Sequence, residues 1–211
     1  MTPARRVALF VFFFLTGAFG LVYEVVWSRY LAVLVGNTAH AHTVVLGTFM
    51  GGLALGAWLF GDLADRVRNG FRAYGLLELV IGAYAVVFDG VFGLALDGVL
   101  AASASMEPGS AGLTALKFAA AIGCILPPTV LMGGTLPLLT RFLTATAAGL
   151  RQAVSRLYAV NSLGAVAGGL LAGFVFIEAL GLDVTMTLVG TANALLALAA
   201  LALSQRWPQA T

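Results

Sequence analysis

The chain has 211 residues, of which 61% are hydrophobic and only 9% charged, and its mean hydropathy is +1.01. A soluble domain carries about 25% charged residues, so most of this surface faces lipid, and a formal net charge of +2 is too small to point to nucleic acid as a partner. The single cysteine, Cys124, sits in an apolar run, which excludes both an internal disulfide and a thiolate metal cluster.

At about 20 apolar residues per span, the length leaves room for six or seven membrane helices once loops are set aside. Six apolar runs occur, over about residues 7–35, 43–61, 73–92, 118–142, 157–179 and 184–203. The start, Met1 to Arg6 followed by apolar residues, has the look of a secretory signal. The run outlasts an h-region of about 7–15 residues and lacks a small-residue cleavage site, so it reads as a retained first helix.

The outer third of the first span reads LVYEVVWSR, Leu21 to Arg29. An ionised carboxylate in hydrocarbon costs about 2.5–3.5 kcal/mol on insertion scales, so Glu24 needs a partner or a proton. Arg29 follows by five residues, slightly beyond good helical pairing distance. Two readings stay open. Glu24 binds a cation such as an amine, with Tyr23 or Trp27 offering an aromatic face; or Glu24 and Arg29 form a structural ion pair with aromatics at the headgroups. Just beyond, His40 and His42 form an H-x-H pair that would point one way in an extended segment. No cysteine or nearby acid joins them, so no metal site and no cofactor is expected.

The second span carries glycines at spacing four, Gly47 with Gly51 and Gly52 with Gly56, and the fifth repeats this with Gly164, Gly168, Gly169 and Gly173. Small residues at that spacing let helix backbones approach closely. Glu78 lies in the inner part of the third span, within about one turn of Arg72 and Tyr74, either of which could pair with it. The segment from about residue 93 to 115 is the longest loop, with FGLALDGVLAASAS either a short amphipathic surface helix or an ordered loop. The fourth span holds Pro127, Pro128 and Pro137 with Gly133, Gly134 and Thr135. Prolines remove backbone donors, which either breaks the helix at a gate or fixes a kink. Asn161, in the fifth span, needs hydrogen-bond partners and is expected to tie that helix to another or to touch a polar substrate.

Nine of the eleven basic residues, Arg5, Arg6, Arg66, Arg68, Arg72, Arg141, Arg151, Arg156 and Arg206, fall on one side if six spans are counted from an inner N-terminus. Only Arg29 and Lys117 fall on the other. The positive-inside rule therefore places both termini in the cytoplasm.

Two resemblances follow. The segment GDLADRVRNGFR, Gly61 to Arg72, resembles the signature loop after the second span of major facilitator transporters: Gly61, Leu63, Ala64, Asp65 and Arg66 match, whereas Arg68, Asn69 and Gly70 depart from the Gly-Arg-Arg that the pattern expects. The resemblance implies an all-α fold, a six-span bundle equal to half of such a transporter. It also implies an inner latch at Asp65 and Arg66; Pro127, Pro128, Gly133 and Gly134 are read as candidate gating positions from their own helix-breaking chemistry. The stretches LVYEVVWSR, PPTVLMGGTLP (Pro127 to Pro137) and RLYAVNSLGAVAGGLLAGFVFIEALGLD (Arg156 to Asp183) resemble the membrane domain of fused spermidine-synthase-like proteins of bacteria. There it precedes a Rossmann-like aminopropyltransferase domain that binds decarboxylated S-adenosylmethionine and a polyamine. Thr211 falls where that domain would begin, so no catalytic residue is expected and the chain is not expected to be an enzyme.

The expectation is a single transmembrane domain over residues 1–211 in a bacterial inner membrane. It would move or present a small cationic, polyamine-like solute with Glu24, Tyr23, Trp27 and Asn161 at its site, as a homo-oligomer or beside unlike membrane subunits, with no nucleic acid involved. Alternatives are a non-catalytic scaffold subunit of a larger complex, or a membrane anchor for a separate synthase-like enzyme.

Overall fold

The computed structural model describes residues 3–36, 38–143 and 147–207. It is helical almost throughout: α1 (Pro3–Val35), α2 (Thr38–Arg66), α3 (Gly70–Ser103), α4 (Ala111–Leu143), α5 (Ala147–Leu171), a π-helical turn (Ala172–Phe176), α6 (Ile177–Leu180) and α7 (Leu182–Arg206). Long apolar helices are what a chain must form where no water can satisfy its backbone. Six stretches are long and apolar enough to cross a membrane, the fifth being α5, the π turn and α6 together. The fold is therefore all-α with six candidate spans, and among the described residues it has no strand.

The helices outrun the expected spans. α3 has 34 residues, about 50 Å at 1.5 Å per residue, so the stretch beginning at residue 93 is neither a separate surface helix nor a long loop. FGLALDGVL contains no proline and simply continues the helix. The break comes at Pro108 and Gly109, and the connection shrinks to residues 104–110. Likewise GDLADR forms the last turns of α2, leaving Val67, Arg68 and Asn69 as the connection to α3. Asn69 caps α3: its Oδ1 accepts from the amides of Phe71 and Arg72, both at 3.1 Å. Its Nδ2 donates to the carbonyls of Ser204 and Trp207 at 3.2 and 3.3 Å, fastening this turn to the end of α7. The tight turn between α6 and α7 needs Gly181, whose φ of +80° is left-handed.

Both described ends of the chain meet. Arg5 donates to the Arg206 carbonyl at 3.3 Å and lies 5.6 Å over the Trp207 ring. We call this the terminal end of the bundle and the opposite one the distal end.

Three helix pairs dominate the packing: α2 with α4, α1 with α5, and α3 with α7. The first two are parallel and are made by glycine. A Cβ on Gly52 would strike Thr129, and one on Gly56 would strike the Val130 carbonyl and Gly133. Gly164 and Gly168 similarly abut the carbonyls of Phe14 and Ala18, and Gly17 abuts that of Asn161. Backbone approach this close is the means by which helices gain dispersion contacts when lipid is as apolar as they are. The expected glycine faces are thus half used: a Cβ added to Gly47 or Gly51 on α2, or to Gly173, would meet nothing within 4 Å among the described residues. Exchanging the first three spans for the last three carries the pair α1–α5 onto α4–α2 and the pair α3–α7 onto itself, which is how a three-plus-three repeat packs.

α4 does not break at its prolines or at Gly133–Gly134; it runs unbroken from Ala111 to Leu143. Pro128 has no amide for the carbonyl four residues back, which is that of Cys124. Tyr84 of α3 supplies the missing donor, its hydroxyl lying 2.6 Å from the Cys124 oxygen. The Thr129 hydroxyl serves the next two carbonyls, Ile125 at 3.0 Å and Leu126 at 2.9 Å. Gly133 packs on the Leu53 backbone and Gly134 under the Phe60 ring. The lost helical bond is thereby turned into an α3–α4 tie.

Candidate functional site on the first helix

α1 presents two stripes to two environments. Residues 23, 27, 30 and 34 share one face of a 3.6-residue helix, and residues 21, 24, 25 and 28 share the next. On the inner stripe, Tyr23 and Trp27 are each 1% exposed. They stack on each other with ring centroids 5.8 Å apart, and Trp27 continues to Phe88 at 5.6 Å and Phe49 at 6.4 Å. On the other stripe, half-buried Glu24 lines an open cleft of about 220 Å³ with Leu21, Val25, Ser28, Arg29, His42, Val45 and Leu46.

The four expected substrate residues are therefore not gathered into one place. Tyr23 and Trp27 face the core and do not wall the Glu24 cleft; helical rotation sets Tyr23 about 100° and Trp27 about 60° from Glu24 around the axis of α1. Asn161 packs on Gly17 of α1, seven residues before Glu24 and so about 10 Å away along the axis. It joins α5 to α1. Glu24 and Arg29 make no ion pair with each other among the described residues; Arg29 is exposed, and its long side chain can reach the headgroups. The Ser28 hydroxyl, only 4% exposed, donates to the Val25 carbonyl at 2.7 Å.

His40 and His42 belong to the helical start of α2, not to an extended segment, so they point apart. His42 lines the Glu24 cleft. His40 lines a separate distal cleft of about 460 Å³ with Lys117, Thr114 and Phe118. Among the described residues no group of three potential metal ligands assembles.

At the terminal end, Asp65 Oδ1 lies 3.1 Å from Arg141 Nε, joining the end of α2 to the end of α4. Arg66, the other expected latch residue, is exposed. The partner Arg141 was hidden in the sequence by a separation of 76 residues. Asp65 is 74% exposed, so the pair belongs with surface ion pairs worth about 0.2–1 kcal/mol. Of the companion positions, Pro127 is exposed while Pro128, Gly133 and Gly134 are buried in the α2–α4 and α3–α4 contacts described above.

Glu78 occupies a different setting. It does not meet Arg72, which is exposed. It is 1% exposed among α1, α3 and α7, with buried Tyr23, Tyr74 and Asn193 around it. Asn193 Nδ2 donates to the Glu78 carbonyl at 3.5 Å. The Thr16 hydroxyl lies 3.0 Å from the Phe12 carbonyl and 2.6 Å from the Tyr74 hydroxyl, a contact in which either group can donate. Asn193, the residue that completes this cluster, carried no sequence signal beyond being a lone amide in an apolar helix.

No family model and no solved structure matches the chain. Curated proteins do. A polyamine aminopropyltransferase 2 of Ralstonia nicotianae is 28% identical over 184 residues, covering 87% of this chain and 33% of the relative. A polyamine aminopropyltransferase 1 of the same organism gives 28% over 184 residues and 32% of the relative. A polyamine aminopropyltransferase 2 of Streptomyces coelicolor is 32% identical, covering 91% of this chain and 34% of the relative. The chain spans about a third of the length of the curated relatives it matches. It is a membrane-spanning helical protein similar, over most of its length, to part of bacterial polyamine aminopropyltransferases.

Proposed function

We propose that this chain is a membrane unit that binds a small organic amine, polyamine-like in chemistry, in the cleft between α1 and α2, with Glu24 as its counter-ion. The observation that carries the reading is the placement of Glu24. It is an intramembrane carboxylate on an open face, unpaired with Arg29, in a cleft that Ser28 also lines. A carboxylate so placed is costly unless a cation neutralises it, and an amine does so while offering hydrogens to both oxygens. The relatives' names supply the polyamine class. The distal end adds attraction, since Glu24, Asp89, Asp97, Glu107, Glu178 and Asp183 there outnumber Arg29 and Lys117.

In this reading the terminal end, with nine of the eleven basic residues, faces the bacterial cytoplasm across the inner membrane. A second six-span unit, a second copy or an unlike chain, covers the open Gly47–Gly51 edge of α2. Asp65 and Arg141 hold the inner ends of α2 and α4 together and would part if those helices moved; the exposed Arg66 next in the chain could then take over Asp65. The reading gives these residues no catalytic role.

The test is equilibrium binding of spermidine to the detergent-solubilised protein and to Glu24→Gln, each checked for native helicity and elution volume. At least tenfold weaker binding by the variant supports the site; equal binding sinks it.

One observation favours a second reading. Arg6, Arg66, Arg68, Arg72, Arg151, Arg156 and Arg206 are all exposed at the terminal end, a basic surface suited to anchoring a soluble, acidic enzyme or a larger complex. That reading predicts recovery of a defined soluble partner on gentle extraction, lost when Arg66, Arg68 and Arg72 are changed together to Gln.

A further inference from the structure

The Glu78 cluster is separate from the amine cleft and has an unfilled requirement. Glu78 Oε1 and Asn193 Oδ1 are both buried without a hydrogen-bond partner, and both residues are 1% exposed. The two side chains are neighbours, yet both atoms are acceptors, and an acceptor cannot satisfy an acceptor. Tyr23 donates its hydroxyl hydrogen to the Val189 carbonyl at 3.4 Å, and the Thr16 hydroxyl and the Asn193 amide are the polar groups nearest the carboxyl, yet neither reaches Oε1. Both oxygens are left without a donor.

No cation among the described residues faces it. α1 contributes Thr16 and the titratable Tyr23, α3 itself contributes Tyr74, and α7 contributes the uncharged Asn193. The charged groups of α1 lie elsewhere, Glu24 and Arg29 on the cleft and Arg5 on Trp207. On α4, Cys124 meets Tyr84, Lys117 lines the distal cleft and Arg141 pairs with Asp65. Asp183 and Arg206 of α7 are at its exposed ends. A bare carboxylate here would be a charge in hydrocarbon with nothing to neutralise it.

We propose that Glu78 is a proton-binding site of the bundle, taking a proton from water onto its carboxyl group and donating it in a hydrogen bond to Asn193 Oδ1. One proton removes the charge and satisfies both orphaned oxygens at once. A dehydrated metal ion would want about six oxygen ligands, and the cluster has two without partners. The loaded site ties α3 to α7 by side chains, and its neighbours Thr16 and Tyr23 sit on α1, which also carries Glu24. Loss of the proton would leave a charge at the meeting point of three helices and loosen that contact. The site stands whether or not the cleft binds an amine.

Infrared spectroscopy of the purified protein in detergent tests this, with Glu24→Gln, Glu78→Gln and Asn193→Leu alongside. The account expects a carboxylic acid C=O stretch at neutral pH that persists in Glu24→Gln, vanishes in Glu78→Gln and moves to higher frequency in Asn193→Leu, where its hydrogen bond is gone. It also expects the melting temperature of the unaltered protein to fall as pH rises through the range in which the band disappears. Glu78→Gln, whose amide can donate to Asn193 Oδ1 at any pH, should show no such fall. An unchanged band in Glu78→Gln overturns the proposal, as does a melting temperature that responds to exchange of potassium for sodium at fixed pH. Should Glu78→Gln not fold, the Asn193→Leu spectrum decides: an unshifted band contradicts the shared proton.

Discussion

The two glutamates within the apolar spans make an instructive pair. Both lie inside long helices with no arginine paired to them among the described residues. They differ in which face of their helix they occupy. Glu24 sits on the stripe of α1 that turns away from the core and opens into a cleft. Glu78 sits on the stripe of α3 that packs on α7, where it is sealed beside Asn193. Hydropathy treats the two alike, because the insertion cost depends on the residue and its depth. The packing separates them into a group that can meet a ligand and a group that can meet only a proton and its neighbours.

The sharpest way to break this contrast is to truncate each acid. Glu78→Ala leaves a cavity and strands Asn193, so it should lose about 2–4 kcal/mol of stability; Glu24→Ala, on an open face, should stay within about 0.5 kcal/mol. Unfolding in mixed micelles, followed by circular dichroism, measures both. Equal losses would mean that the two environments are not distinct. Next comes Gly168→Leu. Ala18, against which Gly168 packs, lies on α1 between Thr16 and Glu24, so forcing α5 away should disturb both sites and cost about 1–3 kcal/mol. A variant as stable as the parent would show that the close α1–α5 approach is dispensable. Smaller still, Tyr84→Phe removes the donor to the carbonyl freed by Pro128 and should cost about 1 kcal/mol. It touches neither glutamate, so amine binding and the infrared acid band should survive it, which makes it the control for general loosening.

Much of the fold was legible in the sequence because lipid leaves a chain few options: apolar runs of sufficient length become helices, and six of them emerged. Their ends were less legible. The Gly61 to Arg66 and Phe92 to Ser103 segments are rich in glycine and small residues that read as loops, yet without proline they continued as helix. The glycine spacing correctly marked α2 and α5 as close-packing helices. It could not choose between Gly47–Gly51 and Gly52–Gly56, since both satisfy the same period and only the partner α4 breaks the tie. On α1 the aromatic residues next to Glu24 in sequence suggested a shared site, and helical rotation put them on another face. The pairs Asp65–Arg141 and Glu78–Asn193 join residues far apart in the chain, and nothing local announces either. The Tyr84–Cys124 bond is half legible: Pro128 identifies which carbonyl needs a donor, but not who supplies it.

The most direct test of the division between the two acids is spermidine affinity measured by equilibrium dialysis in parallel for the unaltered protein, Glu24→Gln and Glu78→Gln. The account predicts that Glu24→Gln weakens binding at least tenfold while Glu78→Gln leaves it within about twofold. Undiminished affinity in Glu24→Gln, or a loss confined to Glu78→Gln, would contradict it.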